Sequence, residues 1–145
     1  VRFELPQISE AELATRFPRG NVKLFFGCCL VQLPDSSNVL LDSSLGCVHP
    51  PIHQVMTKAA PLRDLRTLLK EAAGIYPEDI NVVVHSHLHR DHTGWNVVPS
   101  AESAGPASPL KPLFVNARHV IQRAEWAYWT SSDALRRRCH FEDNL

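Results

Sequence analysis

The stretch VVVHSHLHRDHTGWN, residues 82–96, decides how this chain is read. Valines lead straight into four histidines and one aspartate, all packed between His85 and His92. Eight histidines in 145 residues would place fewer than one in a window of eight by chance, so the cluster needs a cause. On a helix, His85, His89 and His92 would share a face; on an extended chain, His85, His87 and His89 would. The apolar run NVVV favours a strand buried on both faces. Asp91–His92–Thr93–Gly94 then reads as the turn leaving it, opening a helix. His87 and His89 point the same way from the strand end, and Asp91 and His92 bend back toward them.

Neutral imidazole and a neighbouring carboxylate suit zinc and similar borderline metals. Two such ions about 3.5–4 Å apart can share a water, lower its pKa and polarise a carbonyl or phosphoryl oxygen. The donor pattern therefore points to hydrolysis by metal hydroxide. A non-catalytic metal-binding tract is the competing reading, but such tracts rarely follow a hydrophobic strand.

Working outward, Ser9 and Glu12 form a capping-box pattern for a short helix over 9–17. Residues 21–34 read as a long strand, bent at Gly27, that pairs through the PDSSN turn with VLLD, 39–42. Residues 47–60 lack a period and read as loop. Pro61 to Ala73 reads as a helix, with Leu62, Leu65, Leu69 and Ala72 as its apolar stripe and Gly74 behind it. YPEDI, 76–80, is a turn. The four prolines of 99–112 predict an exposed loop. LFVNARHVIQ, 113–122, predicts a strand, and RAEWAYW, 123–129, a helix start. Arg136–Arg138 read as a solvated face.

Bulk properties exclude several functions. Fifteen basic residues balance fifteen acidic ones, so no net field favours nucleic acid or an anionic membrane. The apolar runs fall far short of the roughly 20 residues a membrane helix needs. The cysteines, at 28, 29, 47 and 139, form no C-x-x-C knuckle and read as buried free thiols in a reducing compartment, with a cytoplasmic location as the default.

HLHRDH, His87 to His92, resembles the H-x-H-x-D-H signature of the metallo-β-lactamase superfamily. VLLDSSLG, with Asp42, resembles that family's early strand ending near the metal floor. AGIYPEDINVVVHSHLHRDHTGWN and NARHVIQRAEWAYW look like the branch of lactone- and ester-cleaving enzymes. The resemblance implies His87 and His89 as ligands of a first metal, and Asp91 and His92 as ligands of a second. It also implies that Asp91 orients the attacking water. Asp42 would support a ligand from behind, while His85 and His119 would be structural.

The implied fold is an αββα sandwich of the α/β (α+β) class, with this chain as its N-terminal half: one incomplete domain, 1–145. The family's later ligands, a third His, a bridging Asp and a last His, find no match here; neither His119 nor His140 has the right surroundings. The implied activity is zinc-dependent hydrolysis of a lactone, ester or thioester, with two ions in a complete site. The small-molecule substrate is the expected partner, and an oligomer or the missing C-terminal half would cover the open sheet face. The rival expectation is a non-catalytic truncated remnant that binds metal weakly.

Overall fold

Four strands form the main sheet of the computed structural model, which describes residues 9–16, 26–46, 63–100, 109–133 and 135–136. In chain order these are β1 (Cys29–Gln32), β2 (Asn38–Leu41), β3 (Val82–His85) and, at the far edge, β6 (Arg118–Ile121). Their spatial order is β1-β2-β3-β6. β1 and β2 are an antiparallel hairpin, whereas β2, β3 and β6 run parallel. A parallel neighbour needs a crossover. Between β2 and β3 that crossover contains helix α2 (Leu65–Ala73).

Helix α2 packs because its leucines fall on one side. Leu65 and Leu69 are buried with Leu40 and Val83 of the sheet, alongside Ile80, Trp95, Val98, Leu113 and Phe114. Each fully buried side chain of this size contributes roughly 1.5–3 kcal/mol. Asp64 caps the helix by accepting from the Arg66 N–H at 2.8 Å. Gly74 ends it in the left-handed region, where φ is 69° and its N–H reaches the Lys70 carbonyl. A 3₁₀ turn, Pro77–Asp79, then leads into β3.

A short helix α3 (Arg90–Thr93) follows β3, and α4 (Arg123–Thr130) follows β6. Helix α1 (Glu10–Arg16) lies near the N-terminus, its Glu12 N–H bonded to Ser9 Oγ as the capping pattern predicts. A second, two-stranded sheet pairs β4 (Val97–Pro99) with β5 (Leu110–Pro112).

Several sequence expectations need correction. The first strand covers only Cys29–Gln32, and residues 26–28 before it are not strand. Helix α2 starts at Leu65, because Asp64 offers a side-chain cap and Pro61 does not. Ala72 is exposed, and the half-buried Leu68 takes its place in the stripe. The ends of the proline-rich loop are strands β4 and β5; a two-stranded ribbon tolerates proline because its outer edges need no donor. Residues 113–116 form a turn, so the last strand begins only at Arg118. Cys28 is half-buried and Cys29 exposed, both free, so the buried-thiol expectation fails for Cys29. Phe17, Pro61, Leu62, residues 47–60, Cys47, Cys139 and His140 lie outside the described residues. Among the described residues, no helix is long and apolar enough to cross a membrane.

Candidate metal centre

Three parallel strands deliver the site from their carboxyl ends, which is where open α/β sheets gather functional groups. β2 ends at Leu41 and is followed by Asp42. β3 ends at His85 and is followed by Ser86 and the histidine turn. β6 ends at Ile121, and α4 then supplies Glu125, Tyr128 and Trp129. A cleft of about 320 Å³ opens between the last two, lined by His87, His89, Glu125, Tyr128 and Trp129.

Asp42 anchors the arrangement. Its Oδ1 accepts the Ser86 N–H at 2.8 Å, and its Oδ2 accepts the Ser86 hydroxyl at 2.8 Å and His92 Nδ1 at 2.8 Å. Burial works against the charge of Asp42, but the bonds from His92 and Ser86 outweigh it and hold the carboxyl below its usual range. A carboxylate can only accept, so His92 Nδ1 carries a hydrogen and Nε2 keeps its lone pair. The Ser86 hydroxyl spends its one hydrogen on Asp42. Its oxygen therefore accepts from His87 Nδ1, 3.1 Å away, which leaves the lone pair of His87 on Nε2. One half-buried carboxylate thus sets two tautomers.

The freed nitrogens meet partners. His87 Nε2 lies 3.1 Å from His89 Nδ1, and His92 Nε2 lies 3.5 Å from Asp91 Oδ2. The His87 and His92 rings are 3.9 Å apart, centre to centre. Burial, then the neighbouring His92 and His89, push the His87 pKa down, so this imidazole resists protonation and stays a potential ligand. Two nitrogens bound to one tetrahedral zinc at 2.0–2.1 Å would sit about 3.3 Å apart. The His87–His89 spacing fits such an edge, and its atom types suit zinc.

The fit is partial. Among the described residues, no three His, Cys, Asp or Glu side chains are placed to hold one ion together. The resemblance leads one to expect His87 and His89 on a first ion and Asp91 and His92 on a second. What forms is two donor pairs on one turn, each an incomplete shell.

Main-chain contacts lock the turn to the end of β2. The Ser43 N–H reaches the His92 carbonyl at 2.8 Å, and the Gly94 N–H reaches the Ser44 carbonyl at 2.8 Å. Here the backbones nearly touch. A Cβ on Gly94 would lie 2.0 Å from the Leu45 carbonyl oxygen, and one on Gly46 would lie 1.9 Å from the Gly94 oxygen. Gly46 also has φ +68°, and Asp42 and Ser44 take similar left-handed angles of 59° and 57°. Two non-glycine residues in that region mark a backbone held by its surroundings.

His85 and His119 pair with each other behind the histidine turn. His85 is only 4% exposed. Its Nε2 lies 3.2 Å from His119 Nδ1 and 3.3 Å from Asn96 Nδ2. Asn96 Oδ1 in turn accepts the Ser43 hydroxyl at 2.9 Å. Burial and then the His119 ring lower the His85 pKa to about 4, so it is neutral near pH 7. Glu125 is the residue sequence reading missed. It sits in an unremarkable helix 37 positions after Leu88, whose N–H it accepts at 2.9 Å.

Known proteins resemble this chain over part of their length. No family model matches the chain. The N-acyl homoserine lactonase AttM of Agrobacterium fabrum is 38% identical over 122 residues, which is 84% of this chain and 30% of that protein. A hydrolase of the beta lactamase superfamily, AbOPH, superposes with a TM-score of 0.53 at 19% identity, over 86% of this chain and 38% of its own. The fold is metallo-β-lactamase-like. A probable metal-dependent hydrolase from Staphylococcus aureus shares this metallo-β-lactamase-like fold with a TM-score of 0.69 at 17% identity, over 96% of this chain and 48% of its own. The dizinc quorum-quenching lactonase AidC, solved with its product N-hexnoyl-L-homoserine, gives a TM-score of 0.50 at 25% identity, over 73% of this chain and 29% of its own. The metallo-β-lactamase-like chain thus spans about a third to a half of these proteins' lengths.

Proposed function

We propose that this chain carries the metal-donor half of a lactone-hydrolysing enzyme, with His87, His89, Asp91 and His92 as the donors. The observation that carries the reading is the contact of His87 Nε2 with His89 Nδ1 at 3.1 Å, with Ser86 and Asp42 fixing the tautomer behind it. The lactonase names of the Agrobacterium relative and of AidC support a lactone as substrate. N-acyl homoserine lactones are the first compounds to try. Zinc, two ions in a complete site, would supply a strong Lewis acid for the carbonyl oxygen and an acidified water. The chain's own residues have separate tasks. Asp42 and Ser86 orient His87 and His92. Asp91, half-buried beside His92, holds and orients water through its carboxylate. Tyr128 and Trp129 wall the cleft beside His87 and His89.

The experiment uses the chain purified without chelator. Elemental analysis is expected to find zinc or a similar ion, and opening of the lactone ring releases one proton that a pH indicator follows. Asp91→Ala should keep the far-ultraviolet dichroism and lose on the order of 10²-fold or more in ring opening. Absence of any bound metal would overturn the assignment of the four donors.

A second reading has one observation in its favour: among the described residues no three donors hold one ion together. In that reading the chain binds metal weakly and does not turn over lactone. Bound metal with no ring opening at any chain concentration would select it.

A further inference from the structure

Helix α4 does more than wall the cleft. Glu125 lies one turn into it and faces the histidine turn. Its Oε1 accepts two hydrogen bonds, the Leu88 N–H at 2.9 Å and the Trp129 Nε1–H at 2.6 Å. Leu88 is the residue between His87 and His89. Its side chain is 1% exposed and packs with Trp129, which is 5% exposed, together with Ile121 and Leu135. The Trp129 ring also meets His89 edge-on, 5.3 Å between centres. The segment His87–Leu88–His89 is therefore held by α4 at its main chain, at its central side chain and at one imidazole. Asp42 and Ser86 reach it only from the other end.

A hydrogen bond to an ionised acceptor is about twice as strong as a neutral one. The two donors on Oε1 are a main-chain amide and an indole N–H, and Oε1 joins them. Loss of the carboxylate would free the Leu88 main chain to rotate, and the two flanking rings would swing with it.

We propose that Glu125 is a positioning residue, which by joining the Leu88 amide to the Trp129 indole sets the spacing of the His87 and His89 ring nitrogens. Its consequence for metal rests on the donor assignment above; the clamp itself does not.

The test uses the whole chain and four variants: Glu125→Ala, Glu125→Gln, Glu125→Asp and, as a stability control, Leu69→Ala. Glutamine keeps an oxygen acceptor at the same reach, whereas aspartate keeps the charge but falls short. Two readouts need no metal: exchange protection of the Leu88 amide, and the ring ¹⁵N correlations of His87 and His89. A third is the dissociation constant for cobalt(II), followed by its visible absorption. Glu125→Ala and Glu125→Asp should lose Leu88 protection by tenfold or more and shift both rings. Their cobalt binding should weaken by about 10- to 100-fold, the range for residues that orient ligands from behind. Glu125→Gln, which keeps the acceptor oxygen but not its charge, should fall between the parent and Glu125→Ala in all three, and Leu69→Ala should lose stability with the rings unmoved.

Parent-like rings and Leu88 protection in Glu125→Ala would overturn the clamp. If that variant fails to fold, the same result in Glu125→Asp would overturn it. A parent chain that binds no cobalt would defeat the donor assignment instead, while the two metal-free readouts would still decide for or against the clamp.

Discussion

Two pairs of histidines in this chain touch at almost the same distance in opposite surroundings. His87 and His89 meet at 3.1 Å beside an open cleft, with carboxylates at positions 42 and 91 close by. His85 and His119 meet at 3.2 Å across two neighbouring strands, with the amide of Asn96 as their polar company. In the first pair a carboxylate, Asp42 acting through Ser86, fixes the tautomer of His87; the second pair has no carboxylate among its hydrogen-bond partners, although His119 and Asn96 line a cavity of about 500 Å³. The second belongs to the sheet: β3 pairs with β6, and its rings stack at 5.4 Å. Proximity of two imidazoles is therefore no sign of a metal site. The groups behind them decide what they do.

The strongest way to break the contrast is Gly94→Ala. Its new methyl would lie 2.0 Å from a carbonyl oxygen of the main chain, with no flexible atom to yield. A loss on the order of 4 kcal/mol is expected in urea denaturation. The His87–His89 ring correlation should vanish while that of His85 and His119 survives in whatever fraction stays folded.

Next comes a crossed pair of truncations. His85→Ala removes a buried ring and strands the donors of Asn96 and His119, costing about 2–3 kcal/mol with cobalt binding preserved. His87→Ala should do the reverse, changing stability by no more than about 0.5 kcal/mol and losing most of the metal. Denaturation and cobalt titration on both variants check this. Equal behaviour of the two would erase the distinction.

Asp42→Asn sharpens the comparison further, since it keeps the shape and removes the charge that sets two tautomers. Metal affinity should fall about 10- to 100-fold by isothermal titration. The smallest effect belongs to Asp64→Ala, which removes the cap of α2. It should cost about 1 kcal/mol and leave both histidine pairs as they are, by the same ring correlations.

Much of this was legible in the sequence where the signal is local. The valine run, the turn at Asp91–Gly94, the hairpin ahead of Asp42 and the glycine stop at Gly74 follow from neighbouring residues, and each appears in the structure. The H-x-H-x-D-H spacing singled out the four residues proposed as donors, and the resemblance it carried pointed to Asp42. What stayed hidden depends on distant partners. Nothing near Glu125 announces a bond to Leu88, 37 residues earlier. The pairing of His85 with His119 spans 34 residues and exists only because β6 docks beside β3. The proline-rich ends of 99–112 pair because their outer edges are free, a property of the ribbon and not of the residues. The grouping of His87 with His89 and of Asp91 with His92, by contrast, was already implied by the resemblance.

The bonds around Asp42 have a consequence for how the chain assembles. They join it to Ser86 and His92, 44 and 50 positions downstream. Closing a loop of that size costs about 3.5 kcal/mol of chain entropy before any contact forms. The ordered imidazoles are thus a late product of folding. A short peptide spanning 82–96 would hold every histidine of the turn without their arrangement, and a cation would meet a prepared seat only after the sheet has closed.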